Sequence, residues 1–319
     1  MLSALVATAV LADGPRELYR SFEKGKTFSY SVRTHLQSDT RQGELNTFIP
    51  SEVDLNYDFT YQITDVKSSG LAKVLYQRPA ITQIDGETAD RGPVETKIPL
   101  KWKMELDLSP VNAVTGIKDL SPKTDKRLFT FPKGFKNFYT MTPAMRQDIV
   151  SQFAGELQRL ALFIGGLDSS LDFAPKLPVG EVEVGDTWRQ TMSYQPMELK
   201  GSGGKFEVQR LDMDLTYKGP GEYNGKPAEL VEGVIHLDSD AAQYINQAMR
   251  MTANESGLSK LPLQLDSKIT FYLDPKGLHT LRADARTTGG WSIYLTRVEK
   301  PMIEEKIKGR ASITLQSIK

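Results

Sequence analysis

Residues 55–63 read Leu55-Asn56-Tyr57-Asp58-Phe59-Thr60-Tyr61-Gln62-Ile63. Every odd position is apolar or aromatic and every even position is polar. A β-strand sends successive side chains to opposite faces, so a period of two gives one apolar face and one polar face. That is the pattern of an antiparallel strand with one side on a core and the other toward water.

The same alternation recurs on both sides of this stretch. Phe28, Tyr30 and Val32 carry it first, and Trp102, Met104, Leu106 and Leu108 carry it later. Further on come Leu211, Met213, Leu215 and Tyr217, then Ile269, Phe271 and Leu273, then Ala311, Ile313 and Leu315. Phe206 and Val208 have the opposite parity from Leu211 and Met213, which predicts a β-bulge near Gln209-Arg210. Two segments follow a helical period instead. Thr142-Pro143 supplies a cap and a first-turn proline, and Met145, Ile149, Phe153, Leu157, Leu160 and Ile164 then predict a long amphipathic helix ending at Gly165-Gly166. A shorter helix is predicted from near Ser239-Asp240, with Tyr244, Ile245, Ala248 and Met249 on one face and an end before Gly257.

Three landmarks appear twice in the same order. Gly25-Lys26-Thr27-Phe28 matches Gly185-Asp186-Thr187-Trp188, a turn glycine feeding an aromatic-led strand. Ser69-Gly70 matches Asn224-Gly225 as a polar turn entering an apolar strand. Leu106-Asp107-Leu108-Ser109-Pro110-Val111-Asn112 matches Phe271-Tyr272-Leu273-Asp274-Pro275-Lys276-Gly277. In the last pair Ser or Asp opens a turn, Pro fixes φ, and Asn or Gly closes it. The expected fold is mainly β (α+β): two repeated antiparallel sheet modules, curved or half-barrel in form. The long amphipathic helix lies between them and the shorter helix in the second. The expected divisions are a signal peptide at 1–12, a first β module at 13–141, a helical connection and linker at 142–178, and a second β module at 179–319.

Composition narrows the function classes. Lys and Arg number 40 and Asp and Glu number 40, so the net charge is zero and a nucleic-acid partner is not expected. No cysteine occurs, which excludes disulfides, thiolate metal sites, a Cys nucleophile and a lipid on an N-terminal cysteine. Leu2 to Ala12 is an uncharged apolar run followed by Asp13-Gly14-Pro15, with small residues before the expected cleavage point. No Lys or Arg precedes it. Export to the periplasm or beyond is expected, without a lipid anchor. No stretch reaches the roughly 18 apolar residues of a membrane span, so no transmembrane span is expected.

Leu177-Pro178 followed by Val184-Gly185-Asp186-Thr187-Trp188 resembles a family of secreted bacterial β-rich proteins, many of them lipoprotein-like. Those proteins pair an early Gly-x-x-aromatic strand with a mid-chain Leu-Pro and a Gly-Asp-Ser/Thr-Trp, and end around an Asp-x-x-Gly turn. This chain departs from them in having no cysteine to lipidate. The resemblance implies export and a β-rich fold. It implies no activity.

No catalytic, metal or cofactor motif stands out, and no cofactor is expected. His35, His236 and His279 are widely separated, without metal-helix spacing. Gly201-Ser202-Gly203-Gly204-Lys205 lacks the outer glycine and the Ser or Thr of a phosphate loop and reads as a hairpin tip. Asp212 and Asp214 fall on the polar face of one strand. One segment suggests binding: Phe129, Phe131, Phe135, Phe138 and Tyr139 interleave with Lys133 and Lys136. Rings beside cations can sit at lipid headgroups or line a ligand mouth. The expectation is a non-enzymatic envelope protein that binds an apolar or amphipathic ligand, a lipid, or another envelope component. The alternatives are a secreted hydrolase whose carboxylates converge only in three dimensions, and a structural surface component.

Overall fold

The structure is a computed structural model. It describes residues 14–43, 46–87, 91–122, 142, 154–155, 157–162, 175–194, 209–248 and 252–319. The first half of the chain carries β1 (Arg16–Glu17), β2 (Thr27–Gln42), β3 (Ile49–Val66), β4 (Ala72–Asp85), β5 (Val94–Leu108) and β6 (Val114–Asp119). The second carries β7 (Glu181–Val182), β8 (Thr187–Tyr194), β9 (Gln209–Tyr223) and β10 (Lys226–Asp240). Two short helices follow, α1 (Ala242–Ala248) and α2 (Ala253–Ser256). Then come β11 (Leu258–Lys260), β12 (Pro262–Leu273), β13 (Thr280–Leu295) and β14 (Ile303–Ile318).

All the long strands belong to one antiparallel sheet of 12 strands in the order β6-β5-β4-β3-β2-β14-β13-β12-β10-β9-β8, with β11 added on β13. The chain enters this sheet in its middle at β2 and steps outward to β6. It restarts at the far edge with β8 and steps back to β14, which pairs with β2 from Ile303↔Gln42 to Ile318↔Phe28. The two modules are therefore halves of one open sheet. Its outer edges are joined at one end through residues 175–177. Leu177 N donates to Val111 O at 2.9 Å, and Asn112 Nδ2 donates to Pro175 O at 3.1 Å. On the other side Lys176 N donates to Gln190 Oε1 at 2.8 Å, and Trp188 Nε1 to Lys176 O at 2.7 Å. Strands β12, β13 and β14 come very close at Gly289 and Gly290. A Cβ on Gly289 would lie 2.0 Å from Gln264 O, and one on Gly290 2.3 Å from Glu305 O, so only glycine fits at either place.

The alternating residues share one side of the sheet and form one core. The helical residues 157–161 lie on that side, with Leu157, Leu160 and Ala161 buried. Leu162 Cδ2 and Leu36 Cδ1 crowd the space over Gly309, where a Cβ would meet them at 3.2 and 3.3 Å. Of the long helix expected from residue 142, the described residues show helix only at 154–155 and 157–161. Met145, Ile149, Phe153 and Ile164 lie outside the described residues, as do the signal segment 1–12 and the tip Gly201–Lys205. The shorter helix expected near Ser239-Asp240 is two helices. Asp240 stays in β10, and its Oδ1 accepts from Ala242 N and Leu261 N, both at 2.9 Å. Thr252 is not helical, and its carbonyl accepts from Ser256 N at 3.0 Å to start α2 afresh.

The bulge expected near Gln209-Arg210 lies at the limit of the described residues. The β8–β9 ladder runs without a shift from Thr187↔Thr216 to Tyr194↔Gln209. Phe206 and Val208 lie outside the described residues. The register shifts fall elsewhere, including Leu230/Val231 and Arg78/Ala80. The second spans Pro79, which has no N–H to give to a ladder.

The halves share a register. Gly25 N donates to Ile63 O at 2.8 Å and Ile63 N to Lys26 O at 2.9 Å. Gly185 N donates to Tyr217 O at 2.8 Å and Tyr217 N to Asp186 O at 3.0 Å. Both glycines have a left-handed φ, +93° and +100°. Phe28 then faces Tyr61 as Trp188 faces Leu215. Val74 links Ile63 to Leu106 across three strands, as Val231 links Tyr217 to Phe271. The correspondence is β2 with β8, β3 with β9, β4 with β10 and β5 with β12.

Candidate cleft on the outer face of the first half

Phe59 and its neighbours build an aromatic inner face. Tyr30 stacks on Phe59 with ring centroids 5.1 Å apart, and Phe28 on Tyr61 at 4.7 Å. Arg78 is fully buried among these rings, its guanidinium 4.1 Å from the Tyr57 centroid and 4.8 Å from that of Trp102. Its Nε donates to Tyr76 Oη at 2.7 Å. Cation–π stacking and the hydrogen bond compensate part of the cost of burying this charge. Fitting so large a group under the sheet coincides with the shift at Pro79. The β3–β4 ladder is also interrupted between Asn56 and Thr60.

Over this irregular part of the sheet lies a cleft of about 760 Å³. Ser29, Thr60 and Gln77 lie side by side along it on β2, β3 and β4, and Lys103 on β5 continues the row. Beyond β6 the chain keeps following β5. Leu120 N donates to Lys103 O at 2.8 Å, and Lys103 N to Ser121 Oγ at 3.1 Å. Leu120 and Pro122 thereby form a wall, with Pro79 and Trp102 also lining the cleft. The lining carries three cations, Arg33, Lys101 and Lys103, and one acid, Asp58. Arg33 is committed: its Nη1 lies 3.2 Å from Asp58 Oδ1 and donates to Val32 O at 2.8 Å. Lys101 has a φ of +53°, a left-handed conformation that costs a side-chain-bearing residue about 1–3 kcal/mol.

Four further titratable groups have local partners. Glu305 is buried on β14, and burial pushes its carboxyl up to about 7 against the opposing effect of hydrogen bonds from Gln158 and Ser38. Gln158 Nε2 lies 3.5 Å from Glu305 Oε1. Burial holds His279 down at about 4, although Asp274 opposes this. His35 and His236 sit beside Asp54 and Asp266 at 2.8 and 2.6 Å. Among the described residues no group of three His, Cys, Asp or Glu could hold a metal ion, and no helix is long and apolar enough to cross a membrane. A second hollow of about 300 Å³ near Lys276 has in its lining the Arg16–Glu229 ion pair, at 2.8 Å.

The segment singled out in the sequence, with Phe129, Phe131, Lys133, Phe135, Lys136, Phe138 and Tyr139, lies outside the described residues. The cleft residues were passed over. Lys101 and Lys103 read as an ordinary solvent face beside Trp102, and only the structure sets them against Gln77, Leu120 and Pro122.

No protein-family model matches the chain, and no curated protein does. Among solved structures, the chain is similar to lipovitellin, studied for its lipid–protein interactions, with a TM-score of 0.41 and 11% identity. The match covers 94% of this chain but spans about a quarter, 26%, of the lipovitellin chain. A DUF1329 family protein from Desulfovibrio piger matches with a TM-score of 0.18 and 8% identity, covering 93% of this chain and 85% of that one. A Vibrio parahaemolyticus domain described as outer membrane lipoprotein-sorting matches with a TM-score of 0.15 and 9% identity, covering 94% and 87%.

Proposed function

We propose that this is an exported, non-enzymatic binding protein that holds an amphipathic ligand, a lipid or another envelope component, in the cleft over β2–β5. The observation that carries the reading is the cleft itself. About 760 Å³ is the size of a small-molecule site, and its lining combines apolar walls with a few polar groups. A hydrolase using two carboxylates would need a second acid facing the first. Asp58 is the one acid among the described lining residues, and Arg33 holds it.

Trp102 provides the readout. A brominated twelve-carbon amphiphile entering the cleft should quench its fluorescence saturably, and Trp102→Phe should remove that component. Quenching that never saturates, or that Trp102→Phe leaves intact, would show that the cleft is not the site. Export is tested separately by sequencing the N-terminus of protein taken from the envelope, which should begin at Asp13.

A further inference from the structure

We infer that the polar end of the ligand is an anion, a carboxylate or phosphate group, held by Lys101 and Lys103. This rests on the cleft being the ligand site. The argument comes from the matching row in the other half of the sheet. Lys103, Gln77, Thr60 and Ser29 lie side by side in the first half. Lys268, Val234, Asp214 and Arg189 occupy the corresponding places in the second.

In the second row each cation has its carboxylate. Lys268 Nζ lies 2.7 Å from Glu232 Oε2. Arg189 binds Asp214 through two hydrogen bonds, of 2.7 and 3.1 Å. In the first row those carboxylates are absent. Leu75 stands where the second half has Glu232, and Thr60 where it has Asp214.

The nearest acids on the strand of Lys103 are taken. Lys73 Nζ lies 3.5 Å from Glu105 and 3.6 Å from Asp107. Across the cleft Arg33 holds Asp58. Among the described residues, neither Lys101 nor Lys103 has a carboxylate within ion-pairing distance. Two like charges two residues apart on one lip repel each other, and an anion between them relieves this. Ser29, Thr60 and Gln77 then offer neutral hydrogen-bond donors along the floor. The uncharged chain of the ligand would run against Leu120 and Pro122.

The test compares dodecanoate, dodecyl phosphate, dodecanol and inorganic phosphate by calorimetry and Trp102 fluorescence. Both anionic amphiphiles should bind about tenfold or more tightly than dodecanol, as expected for hydrogen bonds to a charged group. Added salt should narrow that gap. Lys103→Gln, at an exposed position, should narrow it too, by weakening both anions more than dodecanol. Leu75→Glu, which supplies the carboxylate that Lys268 has, should do the same. Equal affinity for dodecanol and dodecanoate would overturn the anion inference and leave the cleft reading intact. Binding of inorganic phosphate as tight as that of dodecyl phosphate would overturn the amphiphile and make the site one for free anions. No saturable binding of any twelve-carbon compound would overturn the cleft reading itself.

Discussion

The two halves of the sheet are built on one register and filled in opposite ways. Inside, the first half has Tyr30, Phe59, Tyr76, Arg78 and Trp102 where the second has Gln190, Met213, Gly233, Ile235 and Ser267. Outside, the second half seals its matching row with ion pairs, and the first leaves that row open. The two differences are coupled. Small groups inside let β9, β10 and β12 keep an unbroken ladder from Val231 to Ile235. Met213 fills the space over Gly233, where a Cβ would meet its sulfur at 2.6 Å. Large rings around a buried guanidinium go with broken ladders at Asn56/Thr60 and Arg78/Ala80. The cleft lies over those breaks. The large inner side chains, the ladder breaks and the outer cleft thus fall in the same part of the sheet.

The largest effect should come from removing the rings that define the first half. Phe59 is 1% exposed and Met213 0% exposed, and they occupy corresponding places. Phe59→Ala should lose about 3–5 kcal/mol of stability and Met213→Ala about 2–5 kcal/mol. The phenylalanine should be costlier by about 1 kcal/mol, because ring stacking adds about 0.5–1.5 kcal/mol beyond area. Urea unfolding of the two variants measures this. If Met213→Ala is the more damaging, the aromatic half is not the better-packed half and the proposed link between rings and cleft fails.

Next in size is the buried carboxyl between the halves. Glu305 faces Thr40 and Trp291 across the central strands, and its carboxyl stands near 7 instead of 4.5. Between those values the folded state keeps a proton that the unfolded chain has lost. Its contribution is therefore fully present below about pH 4.5, falls as pH rises, and is gone once pH passes about 7. Glu305→Gln removes the dependence and keeps a side chain for Gln158 to bond. The variant should gain on the wild type across this window, by up to about 3 kcal/mol above pH 7 for a rise from 4.5 to about 7. His279 titrates in part of the same window with the opposite sign, so the difference between the two proteins is the quantity to follow. A difference that is flat with pH would place the Glu305 carboxyl in contact with solvent.

Much of this frame was legible in the chain because alternation is a local signal. Residues 55–63 and 102–108 are strands as read, and the turns at Gly25 and Gly185 open β2 and β8 in the same way. The first part of β13 escaped notice because its inward positions there are the small residues Ala283, Ala285, Thr287 and Gly289, and only its end buries the large Trp291, Ile293 and Leu295. The cleft was not legible at all. It depends on Lys103 meeting Gln77 instead of an acid, and on the chain after β6 folding back along β5. Both are pairings between residues far apart in the chain, and neither residue type is unusual on a strand's polar face.

The smallest effect on stability, and the sharpest test of the comparison, is to give the second half the first half's outer row. Arg189→Ser with Asp214→Thr copies Ser29 and Thr60 into β8 and β9. The Asp214 carboxyl is held below the usual range by its hydrogen bonds from Arg189, so the pair is formed, yet both groups are well exposed. Exposed pairs contribute little, because solvent screens them and ordering two side chains opposes them. The melting temperature should hardly move. Binding should not appear either, because the β9–β10 ladder is unbroken from Val231 to Ile235, and Glu232 still neutralises Lys268. If the double variant did bind dodecanoate, the open polar row alone would be enough to make a site. The ring-driven breaks in β3–β5 would then be incidental to it, and the cleft would be a consequence of surface composition instead of core packing.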